Sequence, residues 1–187
     1  MTATHVRRSL MLAALFLAMA CLVWWGYDHW KEQRFDKIIA EAARRYQLDP
    51  ALIKAVIWRE SRFHPHVRGR AGELGLMQIR AAAAMEWAAA ERAPAFDHAA
   101  CLDPATNIMA GSWYLKKALG RYGRADNPTP FALADYNAGR GNVLKWQTGA
   151  ATTNSTAFLE QIQFPATRDY ALSILRRAER YRRRGDF

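Results

Sequence analysis

Apolar positions change their rhythm once along this chain. Residues 10–27, LMLAALFLAMACLVWWGY, run without a charge. Beyond Phe35 the apolar residues recur at spacings of three and four, the mark of one helix face. Phe35, Ile38, Ile39, Ala42, Ala43 and Tyr46 predict a first such helix. Asp49-Pro50 is a good N-cap followed by a good first helical residue, and it opens a second. On that helix Ile53, Val56, Ile57 and Glu60 share a face, so a carboxylate continues a hydrophobic stripe while Arg59 and Arg62 point elsewhere. A basic, glycine-bearing loop follows over residues 64–75. Residues 81–90 contain seven alanines and form helix strongly. Asp103-Pro104 opens another helix, through Trp113, Leu115 and Leu119, that closes near Gly120 and Gly123. Pro128 and Pro130 precede FALADYNAG, a short helix ended by Asn137 or Gly139. Residues 140–148 read as helix. Pro165 starts the last helix, with Tyr170, Ile174 and Tyr181 as one stripe. No run alternates as a strand does, so the pattern predicts an all-α domain of seven or eight short helices.

The charge-free run is a different kind of element. Its eighteen residues at helical rise span about 27 Å, close to a bilayer core of about 30 Å. His5, Arg7 and Arg8 precede it, and Trp24, Trp25, Tyr27 and Trp30 gather at its far end as an interfacial aromatic belt would. A cleaved signal peptide is the alternative, because Ala18-Met19-Ala20 is a small-x-small site after a short apolar core. The run continues past that site, which favours an uncleaved anchor. Cys21 raises a lipidated form, although Ala18 and Met19 make a poor lipobox. We expect residues 1–30 to be the signal-anchor segment and residues 31–187 the globular domain, exported across the membrane.

Composition refines this. The chain has 187 residues, half of them apolar, enough for one sizeable core. Of its two cysteines, Cys21 lies in the apolar run, so Cys101 has no partner inside the globular part and is expected to be a small buried residue. The net charge is +10, and residues 176–184, RRAERYRRR, concentrate it. That cluster, from Arg176 to Arg184, is either a solvated helix end with well-placed cations or a surface for an anionic polymer or lipid headgroups. Nucleic acid is not an expected partner of an exported domain.

Glu60 is the candidate for chemistry. A carboxyl set against an apolar wall has its charged form disfavoured, so its pKa rises. It then keeps a proton near neutral pH, as a general acid requires. Most glycosidases pair such an acid with a second carboxylate. Glu73, in the loop before Gly75, is one candidate, with capping a helix or pairing to Arg70 as its structural alternatives. Asp135 is the other, but neighbours on a helix diverge, so it leaves the cleft if Tyr136 faces it.

Three motifs stand in order: Glu60-Ser61, then Gly75-Leu76-Met77-Gln78, then Ala134-Asp135-Tyr136-Asn137-Ala138-Gly139. DPATNI, from Asp103, and FLEQIQFPATRDY, from Phe158, accompany them. Together they resemble the lytic transglycosylases of the soluble-lytic-transglycosylase (SLT) type, in the lysozyme-like superfamily, from about Phe35 to Tyr181. The resemblance implies a lysozyme-like all-α fold and cleavage of the β-1,4 bond between N-acetylmuramic acid and N-acetylglucosamine in peptidoglycan. It implies Glu60 as the single acid and base, with no second catalytic carboxylate. The substrate's acetamido group stabilises C1, and its C6 hydroxyl attacks to give a 1,6-anhydro sugar.

The same resemblance assigns supporting roles. Ser61 contacts the sugar or orients Glu60, with a plain helix-end hydroxyl as the alternative. Gly75 allows close backbone approach. Met77 lines the saccharide groove by packing and Gln78 by hydrogen bonding. Tyr136 places its hydroxyl near Glu60, and Asn137 binds an acetamido group or caps the helix. No cofactor or metal is expected, since His64 and His66 alone are far from a metal-site signal. The chain departs from the family pattern at Arg80, where many relatives have a Met-Pro or similar turn, and at Gln163 and Ala166 near the end of the groove. A lysozyme-type hydrolase on the same fold and a non-catalytic wall-binding module remain the alternatives. The resemblance places the domain in the cell envelope, anchored in the cytoplasmic membrane with its catalytic part on the periplasmic or outer side.

Overall fold

The computed structural model describes residues 3–187, with side chains from residue 11 onward. The flanking charges expected at His5, Arg7 and Arg8 lie outside the described side chains. The chain divides into two units, one ending at Phe35 and the other comprising Asp36–Phe187.

The first unit is one helix, α1 (Ala3–Gln33). It is long and apolar enough to cross a membrane by length and composition, and none of its apolar window is buried. Leu12, Leu15, Phe16, Leu17, Leu22, Trp24 and Trp25 are all exposed. Near its end Trp25 stacks on His29 and Tyr27 leans on Trp30.

The regular elements of the second unit are helices, as the spacing predicts. Its α-helices are α2 (Asp36–Tyr46), α3 (Pro50–Ser61), α4 (Ala81–Ala90), α5 (Pro104–Arg121), α6 (Thr129–Ala138), α7 (Arg140–Trp146), α8 (Ser155–Gln161) and α9 (Pro165–Arg184). Short 3₁₀ helices, His98–Leu102 and Gly149–Thr152, join them. The spacing did not single out α8; it is only seven residues long, and its N-cap Asn154 receives Ala157 N–H. The caps read from sequence form as expected. Asp49 accepts from Ala51 N–H at 2.9 Å, and Asp103 accepts from Thr106 N–H at 2.9 Å. Gly139, at φ +83°, ends α6. Among the described residues β structure is limited to two isolated bridges inside the 68–79 loop.

α3 is the central rod. Residues 51–57 are all buried on it, Lys54 included. It packs most extensively on α9, and α6 lies against α9, α5 and α7. An aromatic core under α6 holds Tyr122, Phe131, Phe158 and Trp146. Phe131 stacks on Phe158 with ring centres 4.0 Å apart. Cys101 is buried and free, as expected, and burial pushes its thiol up to about 11.

Candidate active site

Glu60 sits in the last turn of α3. The turn is stopped by Arg62 in the left-handed region, whose N–H bonds to Trp58 O. Its carboxylate faces a cleft of about 420 Å³ between the 73–80 loop, the start of α4, Tyr114 of α5 and the end of α6. Burial is the main influence on this carboxyl and pushes its pKa up to about 7, and the Glu73 carboxylate adds to the rise. A hydrogen bond from Tyr170 and the charge of Arg59 act the other way without cancelling it.

The hydroxyl beside the acid is the first correction to the sequence reading. Tyr136 was expected near Glu60, and it does stand close enough for the Glu60 charge to help raise its hydroxyl, after burial, but it does not bond the acid. Instead Tyr136 Oη donates to Met77 O at 2.8 Å, while Tyr170 Oη donates to Glu60 Oε1 at 2.6 Å. Burial, then the nearby Glu60 charge, raises the Tyr170 hydroxyl well above the ordinary tyrosine value, so it remains a donor. Tyr170 comes from α9, 110 positions along the chain. In the sequence it reads as a member of the α9 core stripe and as the last residue of FLEQIQFPATRDY, with no role assigned to it. Arg59 lies with its guanidinium 5.6 Å from the Tyr170 ring and pairs with Asp169 at 3.2 Å.

The loop that carries Gly75, Met77 and Gln78 is held from below. Gly75 has φ +74°, and a Cβ there would collide with the Asn107 side chain and Cys101 O. Both facts explain why only glycine fits. Met77 corrects the expectation that it lines the groove. It is fully buried, packed so closely on Gly111 that a Cβ there would meet its sulfur. Its backbone does the positioning instead: Met77 O receives Tyr136, and Met77 N–H donates to Asn107 Oδ1 at 2.7 Å. Gln78 lines the cleft at φ +49°, with its Nε2 donating to Gly75 O at 2.8 Å and Val67 O at 3.1 Å.

Asn107 is the residue the role assignments missed. It lies within the DPATNI motif, fully buried on α5, and its amide also donates to Leu74 O at 2.8 Å and Cys101 O at 2.7 Å. A buried asparagine with all its bonds internal is a loop brace. Its signals in the sequence are its place in DPATNI and its being a polar residue on an otherwise apolar helix face.

The remaining candidates separate. Ser61 is buried, its Oγ donating to Ile57 O at 3.1 Å, so it takes the helix-end role rather than a sugar contact. Asn137 lines the cleft, and its Oδ1 accepts from Thr167 Oγ1 at 2.8 Å; the cap of α6 is Gly139, not Asn137. Glu73 also lines the cleft, but its partner is Arg80 at 2.7 Å, not Arg70. Burial alone would raise it; hydrogen bonds from the backbone and Arg80 prevail and hold its carboxyl below the usual range. Asp135 is 1% exposed at the cleft's inner edge, with one oxygen taken by Arg121 at 2.8 Å and Tyr122 at 2.7 Å. One dry carboxyl therefore faces the cleft beside three that are tied to cations: Glu73 and Asp135 to arginine, and Glu86 to Lys117.

Residues 37–159 match the model of the Transglycosylase SLT domain family, and the chain belongs to that family. The match ends before α9 and so before Tyr170. Among curated proteins the chain is 32% identical over 155 residues to the soluble lytic murein transglycosylase of Escherichia coli (strain K12), covering 80% of this chain and 23% of that one. It is 37% identical over 113 residues to the membrane-bound lytic murein transglycosylase F of Desulfosudis oleivorans, covering 59% of this chain and 23% of that one. Among solved structures it resembles an inactive glutamate-to-glutamine mutant of the lytic transglycosylase Slt from Pseudomonas aeruginosa. There the TM-score is 0.74 and the identity 26%, over 81% of this chain and 24% of that one. The chain thus spans about a quarter of the length of these relatives.

Proposed function

We propose that this chain is a membrane-anchored lytic transglycosylase. It cleaves the β-1,4 bond between N-acetylmuramic acid and N-acetylglucosamine in peptidoglycan and leaves a 1,6-anhydro-muramic acid end. The observation that carries this reading is the unequal state of the carboxyls around the cleft. Glu60 is pushed up to about 7, whereas Glu73 is held low by its hydrogen bonds, Asp135 is paired to Arg121 and Glu86 to Lys117. A two-carboxylate mechanism needs a second free carboxylate facing the scissile bond; a one-carboxylate mechanism needs only Glu60. The names of the curated relatives, both murein transglycosylases, support the same substrate.

In this mechanism Glu60 gives its proton to the glycosidic oxygen as the C1–O bond breaks. The acetamido oxygen of the muramic acid shields the cationic C1. The C6 hydroxyl then bonds to C1 while the Glu60 carboxylate takes its proton, which regenerates the acid and consumes no water. Tyr170 orients the carboxyl and steadies its charged form. Gln78, Tyr136 and Asn137 meet the saccharide, and Gly75, Met77 and Ser61 shape the backbone behind them. α1 anchors the chain in the cytoplasmic membrane, with the catalytic unit on the peptidoglycan side.

The test is digestion of purified sacculi followed by mass analysis of the released muropeptides. Products one water lighter than hydrolytic ones are expected. Reducing ends alone would replace this reading with a lysozyme-type hydrolase, and binding without release with a wall-binding module.

A further inference from the structure

Lys54 is fully buried in the middle of α3, yet it is not part of the cleft. Its ammonium holds two carboxylates from opposite ends of the unit. Asp36 Oδ1, on the first residue of α2, lies at 2.8 Å, and Asp186 Oδ2, next to the C-terminal residue, at 3.2 Å. The rings of Tyr181 and Phe187 each stand 5.1 Å from the same nitrogen. The end of α9 is therefore fastened to the point where the chain enters the globular unit. Asp36 follows Trp30, the last aromatic of the α1 belt, by six residues, at most about 20 Å of chain.

That fastened end is strongly basic on its outer side. α9 buries Tyr170, Ile174, Ala178 and Tyr181. Its exposed side carries Arg176, Arg180 and Arg183 at spacings of four and three. Arg176 and Arg180 make no ion pair among the described residues, and the side chain of Arg183, 79% exposed, meets only Glu179. Like charges at this spacing repel on a helix. The favourable field of the helix C-terminus reaches only the last turn; Arg176 and Arg180 stand upstream of it. Phe187, nearly half exposed, adds an apolar tip.

We propose that Arg176, Arg180 and Arg183 form a second membrane contact that engages anionic lipid headgroups of the bilayer α1 enters. The inference rests on the reading of α1 as an anchor. Covalent continuity brings the stripe within reach of that surface, where a basic side chain is attracted over about a Debye length. The contact would hold the globular unit at the bilayer by two points and limit which glycan strands its cleft meets.

The test uses the full chain reconstituted into vesicles of phosphatidylcholine alone or with phosphatidylglycerol. Flotation in high salt with both vesicle types reports α1. Amide hydrogen exchange over residues 176–187 reports the stripe. It is expected to slow by on the order of a hundredfold with phosphatidylglycerol at low salt, given a gain of about fivefold for each of the three arginines. The slowing should vanish in high salt and in the Arg176→Gln/Arg180→Gln/Arg183→Gln variant, which still floats. Equal exchange in both vesicle types, in a chain that floats with both, overturns the proposal and leaves the anchor intact. Protection by purified sacculi instead of by phosphatidylglycerol also overturns it and assigns the stripe to the wall polymer. Loss of flotation in high salt overturns the anchor reading, and with it this one.

Discussion

Helix α3 carries two ionisable groups on its inward side, and the structure treats them oppositely. Lys54 is wholly buried and is met by two carboxylates. Glu60, nearly two turns on, is half-buried and takes a hydrogen bond from a phenol, with the Arg59 charge nearby but no salt bridge among the described residues. A buried charge with its partners in place is a structural fastener, and breaking it is costly. A carboxyl that is dried but left without a counter-ion keeps its proton and becomes available for chemistry. One helix thus separates stability from reactivity by choosing what each charge meets.

The comparison breaks most sharply at Glu60. Glu60→Gln keeps the shape and removes the transferable proton, so turnover of sacculi should fall by about 10³-fold or more. Retained turnover would mean that the acid lies elsewhere. The same substitution should raise stability above neutral pH. The carboxyl is pushed up from 4.5 to about 7, so the native state holds an extra proton between those values. Stability is then full below pH 4.5 and declines as pH rises to about 7. The Gln variant lacks this decline. It should gain on the parent by about 3 kcal/mol between pH 4 and pH 8 in denaturant titrations. No pH dependence of that difference would show that Glu60 is not dried.

Lys54→Met tests the other half. It leaves Asp36 and Asp186 without their shared ammonium and should cost about 3 kcal/mol in denaturant unfolding, with kcat nearly unchanged on the folded fraction. A loss of kcat at unchanged stability would reverse the two roles.

Two smaller changes sharpen the contrast through the pH profile. Glu60 must be protonated to act, so kcat/KM should fall on the alkaline side with an apparent pKa near 7. Tyr170→Phe removes a hydrogen bond that favours the charged form and should move that limb upward by about one unit. Arg59→Gln removes a nearby positive charge and should move it the same way by a few tenths of a unit. A downward move in either variant would contradict the geometry around the carboxyl.

Much of this was legible from the chain itself. The N-cap at Asp49-Pro50 and the three-and-four spacing placed Glu60 at the inward end of a helix, because those signals are local. The cap at Asp103 and the glycine after α6 were legible for the same reason. Met77 was misread because side-chain direction in a loop depends on what lies beneath it, here Gly111. Glu73 was paired with the wrong arginine because Arg80, seven residues on, reaches it only after the loop has folded back. Tyr170 kept the spacing of a core residue, and its place at the end of FLEQIQFPATRDY marked it without saying what it meets.

Sequence alone determined the elements: an apolar helix, then a train of short capped helices with one carboxyl on a buried face. Periodicity and caps act over a few residues, so they can be read in one dimension. The tertiary structure decided the partners: which tyrosine meets Glu60, which asparagine braces the 74–77 loop, and which aspartates close on Lys54. Those choices join positions up to 132 residues apart. They arise from how α3, α5, α6 and α9 pack, and no spacing along the chain encodes them.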